Sequence, residues 1–378
     1  MKIALINETF SSRGGGRERY AQELAGGLLE AGCDVHLVGC SFADVPAGAV
    51  THAVHPLRRP KWLRLLDFSR CVRQLLQHEH FDITYTLTQT YPSDLAFLAS
   101  GVHQHWMHLR HPYVVPRTLA NLLRPVHLAN LYLESRMFGP HMPRQIIASS
   151  HLVEQQLIHY YQVPPERIIV IHHGADARIY NLEARQRYRA EQRQALGLQP
   201  DDVALLHVSH NWKRKGVPTI LRALRDLGAA GQAYRVVVVG QGQPAPYRQW
   251  AARNGLKDRV LFPGPAAHIE RFYAAADLFV LPTVYDPFAL VCVEAMACGL
   301  PVITTAAAGA SELITPGING LVLNEAHDHV TLAGHLRDLL DKDRRTALGT
   351  AAAATAAQLT HHGNIDRTVE VCQQLQRG

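Results

Sequence analysis

The sequence predicts an α/β protein built from two Rossmann-like domains that face each other across a cleft. Strand-like and helix-like stretches alternate from end to end, the pattern of parallel sheets covered by helices. The alternation runs twice, restarting at His172-His173-Gly174. A chain of 378 residues is also long for one core and suits two domains of about 150–200 residues. The expected divisions are residues 1–172, residues 173–360 and a last segment, 361–378.

In the first half, Lys2–Asn7 reads as a strand, followed by a glycine-containing loop and a helix from about Arg17 to Ala31 that Gly32 stops. Asp34–Gly39 is a second strand. The apolar runs Asp82–Leu87, Gln145–Ser149 and Arg167–Ile171 read as buried strands separated by helices. The second half offers Val203–Val208, Arg235–Gly240, Val260–Phe262, Leu278–Pro282 and Pro301–Thr305 as strands. Val217–Leu227 and His268–Ala276 read as helices between them, and Ala351–Ala357 is a run of a good helix former.

With 47% hydrophobic and 19% charged residues the profile is that of an ordinary globular protein. No apolar run approaches the ~20 residues that span a bilayer. Met1-Lys2 opens onto a short apolar run, Ile3 to Ile6, without the shape of a signal peptide, so a cytoplasmic location is expected. The six cysteines show no CxxC and no zinc spacing, and most read as reduced core residues. A net charge of +6 with 23 histidines favours an anionic partner. Between Pro56 and Arg73, only Asp67 opposes Arg58, Arg59, Lys61, Arg64, Arg70 and Arg73. Leu95–Leu133 holds no acidic residue, but Arg110, Arg117, Arg124, Trp106 and five histidines. Such stretches suit peripheral contact with an anionic membrane, on its inner face, or are solvated helix faces.

The strongest chemical signal runs from Leu281 to Val302, which reads strand, loop, helix, stop, strand. Asp286 suits the N-cap, Pro287 the first helical position, and Gly299 followed by Pro301 closes the helix. Everything between those caps is apolar or small except Glu294, so the helix is expected to be buried and the carboxylate to need partners. Two ribose hydroxyls would satisfy Glu294, and unpaired amides around Phe288, Ala289 and Leu290 suit a phosphate or a sugar. The alternative is that Asp286 only caps and Glu294 only pairs with a cation.

A second motif, Val208 to Gly216, places Lys213, Arg214 and Lys215 just past a buried strand, where three cations can neutralise a diphosphate. Gly14-Gly15-Gly16 occupies the first strand–helix loop, where glycines let backbone amides approach a ligand. Position 19 is Arg, so the dinucleotide fingerprint fails and an NAD enzyme is not expected. Arg17 and Arg19 either reach an anionic ligand or sit on the helix surface.

Together these features resemble the family 4 retaining glycosyltransferases of the GT-B fold, over essentially the whole chain. Gly15-Gly16 matches the family's opening Gly-Gly loop, Lys215-Gly216 its Lys-Gly pair, and Asp286-x7-Glu294 its E-x7-E motif. Ala148-Ser149-Ser150 and Gly174-Ala175-Asp176 are similar to its interdomain landmarks, and Phe288–Val302 is the most specific stretch. Two positions depart from the pattern. Asp286 is one methylene shorter than Glu, and His210 stands where an arginine is usual, which leaves the second positive charge to Arg214. As a subgroup the chain resembles the lipopolysaccharide-core glucosyltransferases, which implies UDP as the nucleotide.

The resemblance implies a nucleotide-sugar donor used as substrate, a hexose transferred to a glycan or glycolipid acceptor, and no cofactor or required metal. The acceptor could be a lipopolysaccharide core or a soluble sugar phosphate. Arg214 and Lys215 would stabilise the departing nucleoside diphosphate. Glu294 would hold the ribose, while Asp286 and the amides at Phe288–Leu290 orient the sugar. A diphosphate oxygen would take the acceptor's proton, with no dedicated base. His103 resembles the N-domain histidine that faces the donor sugar, ahead of its neighbour His105. The segment from His361 would cross back to the first domain, as the family's last helix does. Asp341-Lys342-Asp343, the one D-x-D, lies in a helical, charge-alternating stretch and reads as surface. Two other readings stay open: a UDP-sugar 2-epimerase on the same fold, and a non-enzymatic protein that binds anionic surfaces. Nucleic acid is not expected, because the basic stretches hold no recognised binding motif.

Overall fold

The computed structural model describes residues 1–11, 16–110 and 124–377. It divides into two compact units: unit 1 runs from Met1 to His172 and takes the chain up again at His362, and unit 2 spans His173–His361.

Unit 1 contains β1 (Lys2–Ile6), β2 (Thr9–Phe10), β3 (Asp34–Gly39), β4 (Ser41–Phe42), β5 (Val50–Ala53), β6 (Ile83–Thr86), β7 (Leu95–Phe97), β8 (Gln145–Ala148) and β9 (Ile168–Val170). Seven of these form a parallel sheet in the order β5-β3-β1-β6-β7-β8-β9. Its described helices are α1 (Gly16–Glu30), α2 (Lys61–His78), α3 (His103–Arg110), α4 (Pro125–Met137) and α5 (His151–Tyr161). The central strand explains the arrangement. Ile3 and Leu5 of β1 pack with Leu24 and Leu28 of α1, while Ala4 and Ile6 pack on the other side with Phe68 and Val72 of α2. Successive side chains of a strand point to opposite faces, so an unbroken apolar run buries both and demands helices on both.

Unit 2 repeats the plan with β10 (Val203–Val208), β11 (Tyr234–Val239), β12 (Val260–Gly264), β13 (Leu278–Leu281), β14 (Val302–Thr305) and β15 (Gly320–Leu323). They form a parallel sheet in the order β12-β11-β10-β13-β14-β15. The helices are α6 (Leu182–Ala195), α7 (Val217–Asp226), α8 (Pro244–Arg253), α9 (Ile269–Ala275), α10 (Leu290–Ala297), α11 (His329–Asp338) and α12 (Lys342–Ala356). Leu205 of β10 packs with Ile220 and Leu224 of α7, and its neighbour Leu206 packs with Tyr273 of α9 and Val293 of α10. Full burial of each such side chain contributes about 1.5–3 kcal/mol. The polar helix α6 is held differently: Arg185 donates to the carbonyl of Gly299 (2.8 Å), just past α10, and to that of Ala276 (3.2 Å), just past α9.

The last helix, α13 (His361–Arg377), groups with unit 1 from His362 onward. A Cβ at Gly27 of α1 would collide with the Ile365 side chain, so only glycine permits this approach. Asn364 adds hydrogen bonds from Tyr20 Oη (3.1 Å) and to the His172 carbonyl (3.0 Å).

The predicted strands are present, with ends shifted by one or two residues. Five others were not visible in the pattern: β2 and β4 have two residues each, β5 is an exposed edge strand, β7 has three residues, and β15 opens on a glycine. Among the described residues, no helix is long and apolar enough to cross a membrane.

Candidate active site

In unit 2, β10 lies between β11 and β13, so the chain reverses its direction across the sheet at β10/β13. The loops leaving the carboxyl ends of these two strands therefore lie side by side, which is where open α/β sheets hold ligands. Those loops are the two motifs singled out above. The Val284 amide donates to the Arg214 carbonyl at 2.9 Å. Gly216 has φ of 89°, and a Cβ there would collide with the Pro282 carbonyl. Only glycine lets the first loop lie on the second.

Lys215 then forms an ion pair with Asp286, the side chains being 11% and 19% exposed. An ammonium carries three donors, so this pairing leaves others for an incoming oxyanion. Arg214 is half-buried and Lys213 exposed. Beneath the loop, His207 is fully buried: its Nδ1 faces the Val280 carbonyl at 2.9 Å and its Nε2 the Ser209 hydroxyl at 2.8 Å. Burial first, and the nearby Lys215 charge as well, pushes its pKa down to about 4. A neutral imidazole that donates from Nδ1 and accepts at Nε2 satisfies both partners.

The helix after the second loop starts later than the sequence suggests. Asp286 is not its N-cap and Pro287 is not its first residue, because α10 begins at Leu290. Asp286 Oδ1 instead accepts the amides of Phe288 (3.2 Å) and Ala289 (2.8 Å), closing a tight turn before the helix. Those two amides are thus already bonded, contrary to the expectation that Phe288, Ala289 and Leu290 all offer unpaired N–H groups. The donors left without an intrahelical acceptor are in the first turn proper, at Leu290 and Val291. The turn drives Ala289 into the left-handed region, φ 69° and ψ 63°, which costs a non-glycine residue about 1–2 kcal/mol. Such strain persists only where surroundings impose it. Here they include the Phe288 carbonyl, held by the Ala310 amide at 2.6 Å.

Glu294 is 4% exposed on α10, and the Tyr273 hydroxyl of α9 donates to its Oε2 at 2.8 Å. Burial and the adjacent carboxylate hold the Tyr273 pKa well above the usual phenol value, so the hydroxyl stays a donor. The expected partner was a ligand or a cation. Tyr273 was missed because it lies on another helix, and nothing in its own sequence context marks it.

In unit 1, His103 opens α3 and its Nε2 meets His127 Nδ1 of α4 at 3.1 Å. Burial and then the neighbouring imidazole lower its pKa to about 4. His105 sits separately, with Nδ1 3.3 Å from Tyr160 Oη, and burial with His108 and His159 also lowers it to about 4. The element that positions α3 is Glu134 of α4, which is fully buried. It accepts the His103 amide (2.8 Å), the Gln104 amide (3.3 Å) and the Tyr161 hydroxyl (2.7 Å). Burial nevertheless raises its pKa to about 7. Glu134 is the first acidic residue after the acid-free stretch 95–133, and that singularity was a signal available in the sequence.

Gly15 lies outside the described residues, and Gly16 begins α1. Arg17 contacts Glu18 at 3.4 Å and Arg19 contacts Glu23 at 3.8 Å, so both engage carboxylates of their own helix. Asp341 caps α12 by accepting the Asp343 and Arg344 amides, which accounts for the D-x-D without a ligand. Among the described residues, no group of His, Cys, Asp or Glu could hold a metal ion.

Residues 188–355 match the family described as Glycosyl transferases group 1, and residues 14–178 match Glycosyltransferase Family 4. The chain belongs to glycosyltransferase family 4. It is 33% identical over 240 residues to D-inositol 3-phosphate glycosyltransferase 1 of Catenulispora acidiphila, covering 60% of this chain and 56% of that one. An uncharacterized glycosyltransferase of Methanocaldococcus jannaschii is 23% identical over 337 residues, 85% of this chain and 84% of that one. The chain thus spans just over half the length of the inositol phosphate enzymes it matches. Its fold is GT-B. The solved structure of WaaG, a glycosyltransferase involved in lipopolysaccharide biosynthesis, superposes with a TM-score of 0.85 at 22% identity, over 98% of this chain and 99% of WaaG. The Anabaena protein HepE, solved with UDP and glucose, gives 0.70 at 22% identity over 99% of each chain.

Proposed function

We propose that this protein is a retaining glycosyltransferase that moves a hexose from a nucleotide sugar, preferably a UDP-sugar, to a glycan or glycolipid. The observation that carries the reading is the join of the two loops at the β10/β13 edge, which sets Arg214, Lys215, Asp286 and the first turn of α10 together. In the reaction, Arg214, Lys215 and the amides of Leu290 and Val291 stabilise the negative charge that grows on the departing diphosphate. Glu294, oriented by the Tyr273 hydroxyl, accepts from the ribose hydroxyls. Asp286 holds the loop that orients the sugar. A diphosphate oxygen takes the acceptor's proton, so neither a metal nor a separate base has a part. His103, kept neutral by burial, is the unit 1 group assigned to the sugar.

The relative named for D-inositol 3-phosphate and the likeness to WaaG support two acceptor classes, a phosphorylated polyol and a lipopolysaccharide glycan. The exposed cations near the start of α2 support peripheral contact with an anionic membrane. Thermal shift with UDP, GDP, ADP and their sugar conjugates, without metal, tests the donor. Stabilisation by several degrees with one nucleotide is expected. A flat panel, unchanged by Mg²⁺, would overturn the reading. Conversion of the UDP-sugar to its 2-epimer without acceptor would replace transfer by epimerisation.

A further inference from the structure

We propose that unit 1 carries a binding site for a phosphate group in the hollow lined by Arg58, Arg59, Lys61 and Arg64. The hollow encloses about 340 Å³, and Glu8 and Leu65 complete its wall. That volume falls among small-molecule sites, roughly 300–1,000 Å³. Its place in the fold is informative. Glu8 follows β1, and Arg58 and Arg59 lie between β5 and α2, so both loops leave the carboxyl ends of parallel strands. In unit 1 the strand order reverses at β1/β6, so the Glu8 side of the hollow follows one of the two strands at the reversal.

The charges decide what the hollow takes. Glu8 is committed to Arg64, Oε2 to Nη2 at 2.8 Å, which pins one guanidinium at the wall. Among the described residues no carboxylate lies within ion-pair distance of Arg58, Arg59 or Lys61. Like charges gathered without a counter-ion repel one another, and a compact dianion relieves that repulsion. Guanidinium forks fit the oxygens of a tetrahedral phosphate two at a time, and an ammonium supplies a point charge beside them. The group recognised is a phosphate monoester or diester, carried by a soluble sugar or by a lipid headgroup. Phosphate binding stands apart from the transfer reading; its attribution to an acceptor rests on it.

The test is calorimetric titration at constant ionic strength with inorganic phosphate, glucose 6-phosphate and glucose. The wild type is compared with Arg58→Ala/Arg59→Ala, with Lys61→Ala, and with Arg253→Ala in unit 2. We expect glucose 6-phosphate and phosphate to bind and glucose not to. The double variant should weaken binding at least about tenfold, with an unchanged circular dichroism spectrum, and Arg253→Ala should have no effect. Equal binding by the double variant, or an equal effect of chloride, overturns the site. Vesicles of phosphatidylcholine with phosphatidylglycerol separate the sources. Vesicle binding displaced by glucose 6-phosphate supports the site with a lipid headgroup as its ligand, and soluble phosphate binding alone supports it with a soluble one. Vesicle binding without soluble phosphate binding overturns the hollow in favour of diffuse surface attraction. UDP stabilisation of the wild type is measured alongside, and its absence counts against the donor reading while leaving the phosphate result standing.

Discussion

In unit 2 the loops after β10 and β13 are tied to each other through Gly216, Lys215–Asp286 and the Val284 amide. In unit 1 the loop after β1 is tied to the first turn of α2 at Arg64–Glu8, and among the described residues three neighbouring cations have no carboxylate within ion-pair distance. Both sheets reverse at an inner strand, but in unit 2 both tied loops leave the strands at the reversal, whereas in unit 1 the tie joins the loop after β1 to a helix. Unit 2 has charges already opposed and positioned, as a site needs when it must stabilise charge that develops during a reaction. Unit 1 has charge in excess, as suits a site that only holds an anion. The buried groups differ in the same direction: unit 2 keeps a neutral histidine under its cationic loop, and unit 1 keeps a carboxyl under its histidines.

The largest effect is expected at Lys215. Lys215→Ala should lower kcat by about 10²–10³, roughly 3–4 kcal/mol of transition-state stabilisation, while Arg58→Ala should act on acceptor KM. A loss below tenfold at Lys215, in steady-state transfer with the preferred donor, would break the assigned division between the units.

Next come the pH dependences, which have opposite signs. The Glu134 pKa is raised to about 7 in the folded protein, so its contribution is fully present below the unfolded value near 4.3 and is lost as pH rises through 7. The His207 pKa is depressed to about 4, so its contribution is present above 6.5 and is lost as pH falls toward 4. Each window is worth about 3 kcal/mol. Urea denaturation from pH 4.5 to 8 should show Glu134→Gln gaining on the wild type as pH rises, and His207→Gln gaining as pH falls. Parallel curves would remove this part of the comparison.

Glu294→Ala leaves the buried Tyr273 hydroxyl without its acceptor, at about 1–3 kcal/mol of stability, and should also weaken UDP binding. Glu294→Gln keeps an acceptor for Tyr273 and should recover most of the stability but not the transfer. Equal stability in both variants would mean that the Tyr273 bond contributes little. The smallest effect is at Ala289. Glycine relieves the left-handed strain but adds unfolded-state entropy, so Ala289→Gly should shift stability by less than about 1 kcal/mol, whereas Ala289→Val should lose more than that. Thermal unfolding of the pair measures it.

Legibility in the sequence followed chain proximity. The stretch Leu281–Val302 announced its strand, helix and stop because each signal depends on residues a few positions away. The start of α10 was misplaced by three residues because Asp286 and Pro287 satisfy the local rules for a cap, while the turn they form is fixed by Ala307, Gly309 and Ala310 from the next loop. The short strands β5 and β7 carry too few residues to show a period. The contacts of Arg17 with Glu18 and of Arg19 with Glu23 depend on the helix that forms around them.

By itself the sequence determined that this chain makes two parallel α/β units, since unbroken apolar strands between amphipathic helices have few other ways to bury both faces. It also determined which loops carry charge at strand ends. Only the tertiary structure decided which charges meet. Lys215 and Asp286 lie 71 positions apart, Arg64 and Glu8 56, His103 and Glu134 31, and Tyr273 and Glu294 21. Hydrogen bonds and ion pairs are short-ranged, so their partners are set by which strands become neighbours, and that order is written in no local stretch of the chain.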